Sequence, residues 1–116
     1  MLKVSSLFKS IKTNKLRSSY YAVIFSSLQT TDTEGYSEMA EQMELLARTQ
    51  PGFLEFEHAR EGIAISISYW ESMEAISQWK ANLDHLEAQR LGRDKWYAWY
   101  KIRICKVERE YEFNRE

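Results

Sequence analysis

The segment Tyr20-Tyr21-Ala22-Val23-Ile24-Phe25 is apolar at nearly every position and constrains the fold more than any other stretch of the chain. Successive side chains of a strand point to opposite faces, so a strand that does not alternate must be covered on both. With 116 residues the chain supports one core, not two. A single chain must therefore cover both faces of this strand from one core, or leave one of them for something else.

The remaining segments supply the partners. Thr31, Asp32 and Thr33 offer helix-capping oxygens, and Thr31 with Glu34 has capping-box spacing. Tyr36, Met39, Ala40, Met43, Leu46 and Ala47 then form one stripe of an amphipathic helix that Gln50-Pro51-Gly52 stops. Phe53 to Ala59 reads as a strand with Leu54, Phe56 and His58 on one face, and Arg60-Glu61-Gly62 as a reversal in which Gly supplies positive φ. The return strand puts Ile63, Ile65, Ile67 and Tyr69 on one side and Ala64, Ser66, Ser68 and Trp70 on the other. Ser72 is placed to cap a helix over Met73 to Lys80, with Ile76 and Trp79 inward. Asp84 and Glu87 repeat the capping spacing and predict a second helical piece from about Asp84 to about Trp96. Tyr100 to Val107 alternates as the last strand.

This order, strand, helix, strand, strand, helix, strand, is the split βαββαβ plan. It predicts a ferredoxin-like α+β fold: a four-stranded antiparallel sheet with both helices on one face. The other face stays bare. The second apolar side of residues 20–25, together with the Ile and Tyr side chains of the hairpin, would expose more than the few hundred Å² usual for a monomer. Pairing that face with a second copy, as a homodimer, removes the exposure.

Charge and composition exclude several functions. Residues 1–19 hold Lys3, Lys9, Lys12, Lys15 and Arg17 and no acid, leaving 11 basic against 17 acidic residues in the body. An acidic body argues against nucleic acid as a partner, since phosphate contacts need a basic face. No apolar run approaches the roughly 20 residues that cross a bilayer. Cys105 is the one cysteine, which excludes an intrachain disulfide; with only His58 and His85 beside it no zinc-type ligand set forms, and in a strand it reads as a small buried hydrophobe. The 1–19 segment, with Val4, Leu7, Phe8 and Ile11 at helical spacing, reads as a basic N-terminal extension, either a flexible or docked arm or an organellar presequence. In the first case the protein is expected in the cytoplasm.

Several stretches together resemble the antibiotic biosynthesis monooxygenase domain, also called the dimeric α+β barrel. They are Tyr20 to Phe25, Gln50-Pro51-Gly52-Phe53-Leu54, Ser68-Tyr69-Trp70-Glu71-Ser72, and Ala75-Ile76-Ser77-Gln78-Trp79-Lys80 continuing to His85. The resemblance places such a domain at residues 20–113, with a charged tail at 114–116, and implies the fold and the dimer. The haem-degrading branch of that family combines an Asn on the first strand, a Trp on the second helix and an iron-binding His ten residues later. Trp79 matches the Trp, but Gln89 stands where the His would be and residues 20–27 contain no Asn, so haem degradation is disfavoured. The cofactor-free branch implies oxidation of electron-rich aromatic compounds such as quinols or anthrones by molecular oxygen, with no metal, flavin or other cofactor. That chemistry needs a dry aromatic pocket and a base.

His85 is the candidate catalytic base, an imidazole that titrates near neutrality and sits six residues past Trp79 at a helix start; the alternative is a His that caps that bend. Trp79 and Trp70 read as walls of a substrate pocket or as core. The Tyr97 and Tyr100 phenols could orient a substrate oxygen or simply pack, and Ser66 and Ser68, small and polar beside Trp70, mark either a cavity or a close helix approach. His58 reads as a packed core or interface residue. The function that follows is a monooxygenase-like homodimer that binds a small hydrophobic or aromatic molecule, or a non-catalytic ligand-binding dimer on the same fold.

Overall fold

The computed structural model describes residues 19–84, 90 and 92–115. The doubly apolar run becomes the strand β1, Tyr20–Gln29, and it lies inside the sheet with a neighbour on each side. The others are β2 (Phe53–Glu61), β3 (Ile63–Trp70) and β4 (Tyr97–Val107), in the order β2-β3-β1-β4, with every neighbouring pair antiparallel. Helices α1 (Tyr36–Arg48) and α2 (Met73–Asp84) make the two crossovers, which gives the ferredoxin-like α+β plan that the order of segments predicts.

Register assigns each side chain to a face. Tyr21 pairs with Trp70, Val23 with Ser68 and Phe25 with Ser66, and Trp70 packs with Ala47 of α1 and with Ala75 and Ile76 of α2. This is the helix-covered face. The opposite face carries Ile24 between Ile67 and Arg103, Ser26 between Ile65 and Lys101, and Leu28 beside Trp99. On that side Leu28, Ile63, Ile65 and Trp99 are 41–49% exposed in the single chain.

The turn after α1 is built on Gly52. It has φ +82°, Phe53 N donates to Gln50 O, and Glu71 N donates to Gly52 O at 2.8 Å. A Cβ at this position would lie 2.6 Å from Ala75 Cβ, so the glycine also lets the turn sit against α2. Ser72 caps α2 as its position suggests, its Oγ accepting from Ala75 N at 3.1 Å.

Five local expectations are corrected. The Thr31/Glu34 capping box does not form: α1 starts only after Gly35 at φ 82° with no side-chain cap, and in the preceding loop Thr30 accepts from Asp32 N and donates to Lys95 O. Helix α2 runs on to Asp84, which is thus its last residue and not a cap; Glu87 lies outside the described residues. Gly92–Trp96 is a π-helical turn, and β4 begins directly after it at Tyr97. A register shift between Phe53 and Glu55 puts Phe53, not Leu54, against Trp70, with Phe56 and His58 following on the same face. Cys105 is exposed in the single chain, since it pairs with Ala22 on the helix-free face of the edge strand β4.

Candidate functional site

The helix-covered face has two ends with different contents. Toward the start of β1 it is filled: Trp70 is fully buried, stacks on Trp79 at 5.8 Å and 27°, and meets Phe53 edge-on at 5.4 Å. The Trp70 indole donates to Ser68 Oγ at 2.9 Å, which uses the hydrogen-bonding capacity of both groups inside the core.

Toward the end of β1 the helices leave a groove of about 610 Å³. Phe56, His58 and Arg60 of β2 lie along it with Ala64 and Ser66 of β3, Gln29 of β1, and Tyr36, Ala40, Glu41 and Glu44 of α1. Strand alternation places Phe56, His58 and Arg60 together because they occupy every second position of one face, opposite Ser68, Ser66 and Ala64. Helical spacing aligns Tyr36, Ala40 and Glu44 above them. Gln29 follows Phe25 and Ser27 onto this face by alternation along β1, and the register shift between Leu28 and Gln29 skips Ala98 of β4 and so brings Tyr97 opposite it.

Tyr36 joins the groove to an aromatic cluster. Its ring meets Trp96 at 5.5 Å and Tyr97 at 5.9 Å, both edge-on, while Phe25 contacts Tyr97 at 5.3 Å and Tyr100 at 5.4 Å. The π-helical turn holds the cluster in place: Trp96 donates from its indole to Glu34 O at 3.0 Å, and Thr30 N donates to Trp96 O at 2.8 Å. Gly92 lies close beneath the Tyr97 ring, which a Cβ there would approach to 3.0 Å. The Tyr97 hydroxyl donates to the Tyr36 hydroxyl at 3.4 Å. Burial raises the Tyr97 pKa, with the Tyr36 hydrogen bond adding to the effect and the Arg60 charge opposing it, so Tyr97 is a neutral donor and not a base at physiological pH.

Arg60 sits over the Tyr36 ring with its guanidinium carbon 5.4 Å from the centroid, and it donates to Gln29 Oε1. Gln29 Nε2 is buried with no hydrogen-bond partner. A buried amide donor left open in this way costs stability. Phe56 and His58 lie 5.8 Å apart between their rings.

The residues singled out in the sequence thus separate. Trp70, Trp79 and Ser68 belong to the packed end; Ser66 lines the groove; Tyr97 and Tyr100 lie in the aromatic cluster beside it. His85 lies outside the described residues, as do Gln89 and residues 1–18. His58, read as a packed residue, is instead exposed and faces the groove. Gln29, Tyr36 and Arg60 were not singled out. Their signal was present only in part: Phe56, His58 and Arg60 alternate, and Gln29 alternates with Phe25 on β1, but nothing local shows that the two rows meet under Tyr36. Among the described residues no group of three or more His, Cys, Asp or Glu side chains could hold a metal ion.

Comparison with known proteins agrees with this architecture. The model of the antibiotic biosynthesis monooxygenase family matches residues 19–91, and the chain belongs to that family. An uncharacterised protein of Bacillus subtilis (strain 168), YqjZ, is 48% identical over 93 residues, 78% of this chain and 82% of that protein. SnoaB, a cofactor-independent oxygenase from Streptomyces nogalater, superposes with a TM-score of 0.63 at 12% identity, over 84% of this chain and 99% of that one. A proposed antibiotic biosynthesis monooxygenase from Nitrosomonas europaea gives a TM-score of 0.65 at 14% identity, over 82% and 95% of the two chains. At these identities the structural likeness is one of fold.

Proposed function

We propose that this protein is a homodimeric oxygenase that binds a small aromatic compound in the groove and oxidises it with molecular oxygen, using no metal or flavin. The observation that carries this reading is the groove of about 610 Å³ over the sheet, which sets an apolar floor at Phe56 beside an imidazole at His58 and an aromatic cluster at Tyr36. The fold shared with SnoaB supports it.

The chemistry balances without a reductant. A base takes one proton from an activated CH2, as in an anthrone, and the carbanion passes one electron to oxygen. The radical pair combines to a hydroperoxide, and loss of water leaves a carbonyl: the carbon gives up four electrons, one oxygen atom stays in the product and the other leaves as water. His85 is the proposed base, and the Tyr97 and Tyr100 phenols are proposed to orient the substrate oxygen. Ser66 is proposed to contact the substrate on the groove, and Trp70, Trp79 and Ser68 to support it from the packed end of the same face.

Two copies are proposed to join through the helix-free face. One row runs acid to base across the sheet, Glu57-Ile67-Ile24-Arg103, and the next, Ala59-Ile65-Ser26-Lys101, ends on a base at the same edge. A twofold axis along the strands lays the acidic β2 edge of each copy on the basic β4 edge of the other, whereas an axis across them opposes like charges.

The test is oxygen consumption by metal-free protein with a panel of anthrones and quinols. Uptake above the uncatalysed rate, reduced by orders of magnitude in His85→Ala and less in His58→Ala, is expected. No uptake with any member of the panel removes the oxygenase reading for that substrate class.

A further inference from the structure

We propose that the Arg60 end of the groove holds an anionic oxygen of the ligand, a carboxylate or an ionised phenol, so that the compounds taken are acidic aromatics. This rests on the groove being the ligand site, as proposed above, and adds the polarity of what enters it.

Two donors converge at that end, Arg60 and Tyr36, with the Gln29 amide packed behind them. Arg60 makes one hydrogen bond, to the neutral Gln29 amide, and no carboxylate pairs with it among the described residues. A guanidinium presents five N–H donors, so most of its capacity is unused. Gln29 turns its oxygen to Arg60 and is left with a buried Nε2 that finds no acceptor. Tyr36 accepts from Tyr97, which leaves its own hydroxyl proton free to be donated. All three residues line the same groove. A charged fork and a phenol side by side on the groove are matched by one anionic oxygen group, which a neutral hydrocarbon does not supply.

The acids of the groove stand apart from this end. Glu41 and Glu44 follow Tyr36 by five and eight residues, about 7 and 12 Å along the helix axis at about 1.5 Å per residue. Glu44 is also engaged by Arg48 at 2.9 Å. Phe56, Ala40 and Ala64, which line the groove, offer the apolar body of such a ligand its contact area.

The test is calorimetric titration of the full chain with 1-naphthoate and with its methyl ester, which share the ring system and differ in charge. The unmodified protein is expected to bind the carboxylate at least about 10-fold more tightly. Arg60→Met should remove that preference by weakening the carboxylate far more than the ester, and Arg60→Lys, which keeps the charge without the fork, should retain part of it. Gln29→Leu should weaken the carboxylate a few-fold. Equal affinity for the two compounds, no binding of either, or a preference that survives Arg60→Met overturns the proposal. Oxygen is not read here, so the failures separate: a protein that prefers the carboxylate yet consumes no oxygen keeps this site and loses the oxygenase reading, and one that oxidises neutral anthrones without any carboxylate preference does the reverse.

Discussion

Replacing Gly52 by Ala isolates the closest approach in the fold. Two costs add at this position. A side chain at φ +82° meets the left-handed penalty of about 1–2 kcal/mol, and a Cβ 2.6 Å from Ala75 Cβ forces backbone or helix to shift, at about 1–3 kcal/mol. The total is about 2–5 kcal/mol. Gly62 provides the internal control, because its φ is +80° but a Cβ there meets nothing within 4 Å, so Gly62→Ala carries only the backbone cost of about 1–2 kcal/mol. Urea unfolding at one fixed protein concentration reads both. With slopes of about 1–3 kcal/mol per molar urea, the midpoint should fall by about 1 M or more for Gly52→Ala and by clearly less for Gly62→Ala, at unchanged slope. Ala75→Gly should cost about 1 kcal/mol alone, through helix propensity, yet recover about 1–3 kcal/mol when combined with Gly52→Ala. Equal losses at the two glycines, or no recovery in the double variant, would refute the reasoning.

Further outcomes follow from charge and burial. Arg103→Glu should shift the association equilibrium toward single chains, and adding Glu57→Arg should restore it, as read by size-exclusion chromatography across protein concentrations; failure of the second change to restore what the first removes contradicts the proposed axis. In an alkaline titration followed by phenolate absorbance, Tyr20, Tyr69 and Tyr97 of the seven tyrosines should ionise late. Tyr69 is pushed up to about 12 from 10.0, first by burial and then by its hydrogen bond to Glu57. A folded value above the unfolded one means that the neutral phenol stabilises the fold fully below pH 10.0, and that this contribution disappears as the pH rises through about 12. Tyr69→Phe should remove one late-titrating group; seven phenols all ionising together near the ordinary value contradicts these environments.

What could be read from the sequence was whatever local pattern determines. Strand alternation assigned the two faces of β3 correctly, and Pro51-Gly52 marked the end of α1, because period and φ are properties of neighbouring residues. The missing Thr31/Glu34 capping box had equally good local credentials, but the helix begins only after Gly35, past both of its residues, where Trp96, 62 residues away, donates to Glu34 O. The bulge that exchanged Leu54 for Phe53 depends on how β2 docks against Trp70. Most of the candidate site is of this second kind. Trp70 and Trp79 stood out as aromatic residues, but only packing shows them closing one end of the helix-covered face, and Gln29, Tyr36 and Arg60 become neighbours through the crossing of β1, α1 and β2.

The proposed division of labour, a ligand on the helix-covered face and a second copy on the other, stands or falls on the state of the molecule in solution. Sedimentation equilibrium of the unmodified chain at micromolar concentration measures it directly. The account predicts a species of twice 13.8 kDa. A persistent 13.8 kDa species, with Leu28, Ile63, Ile65 and Trp99 open to water, would contradict it.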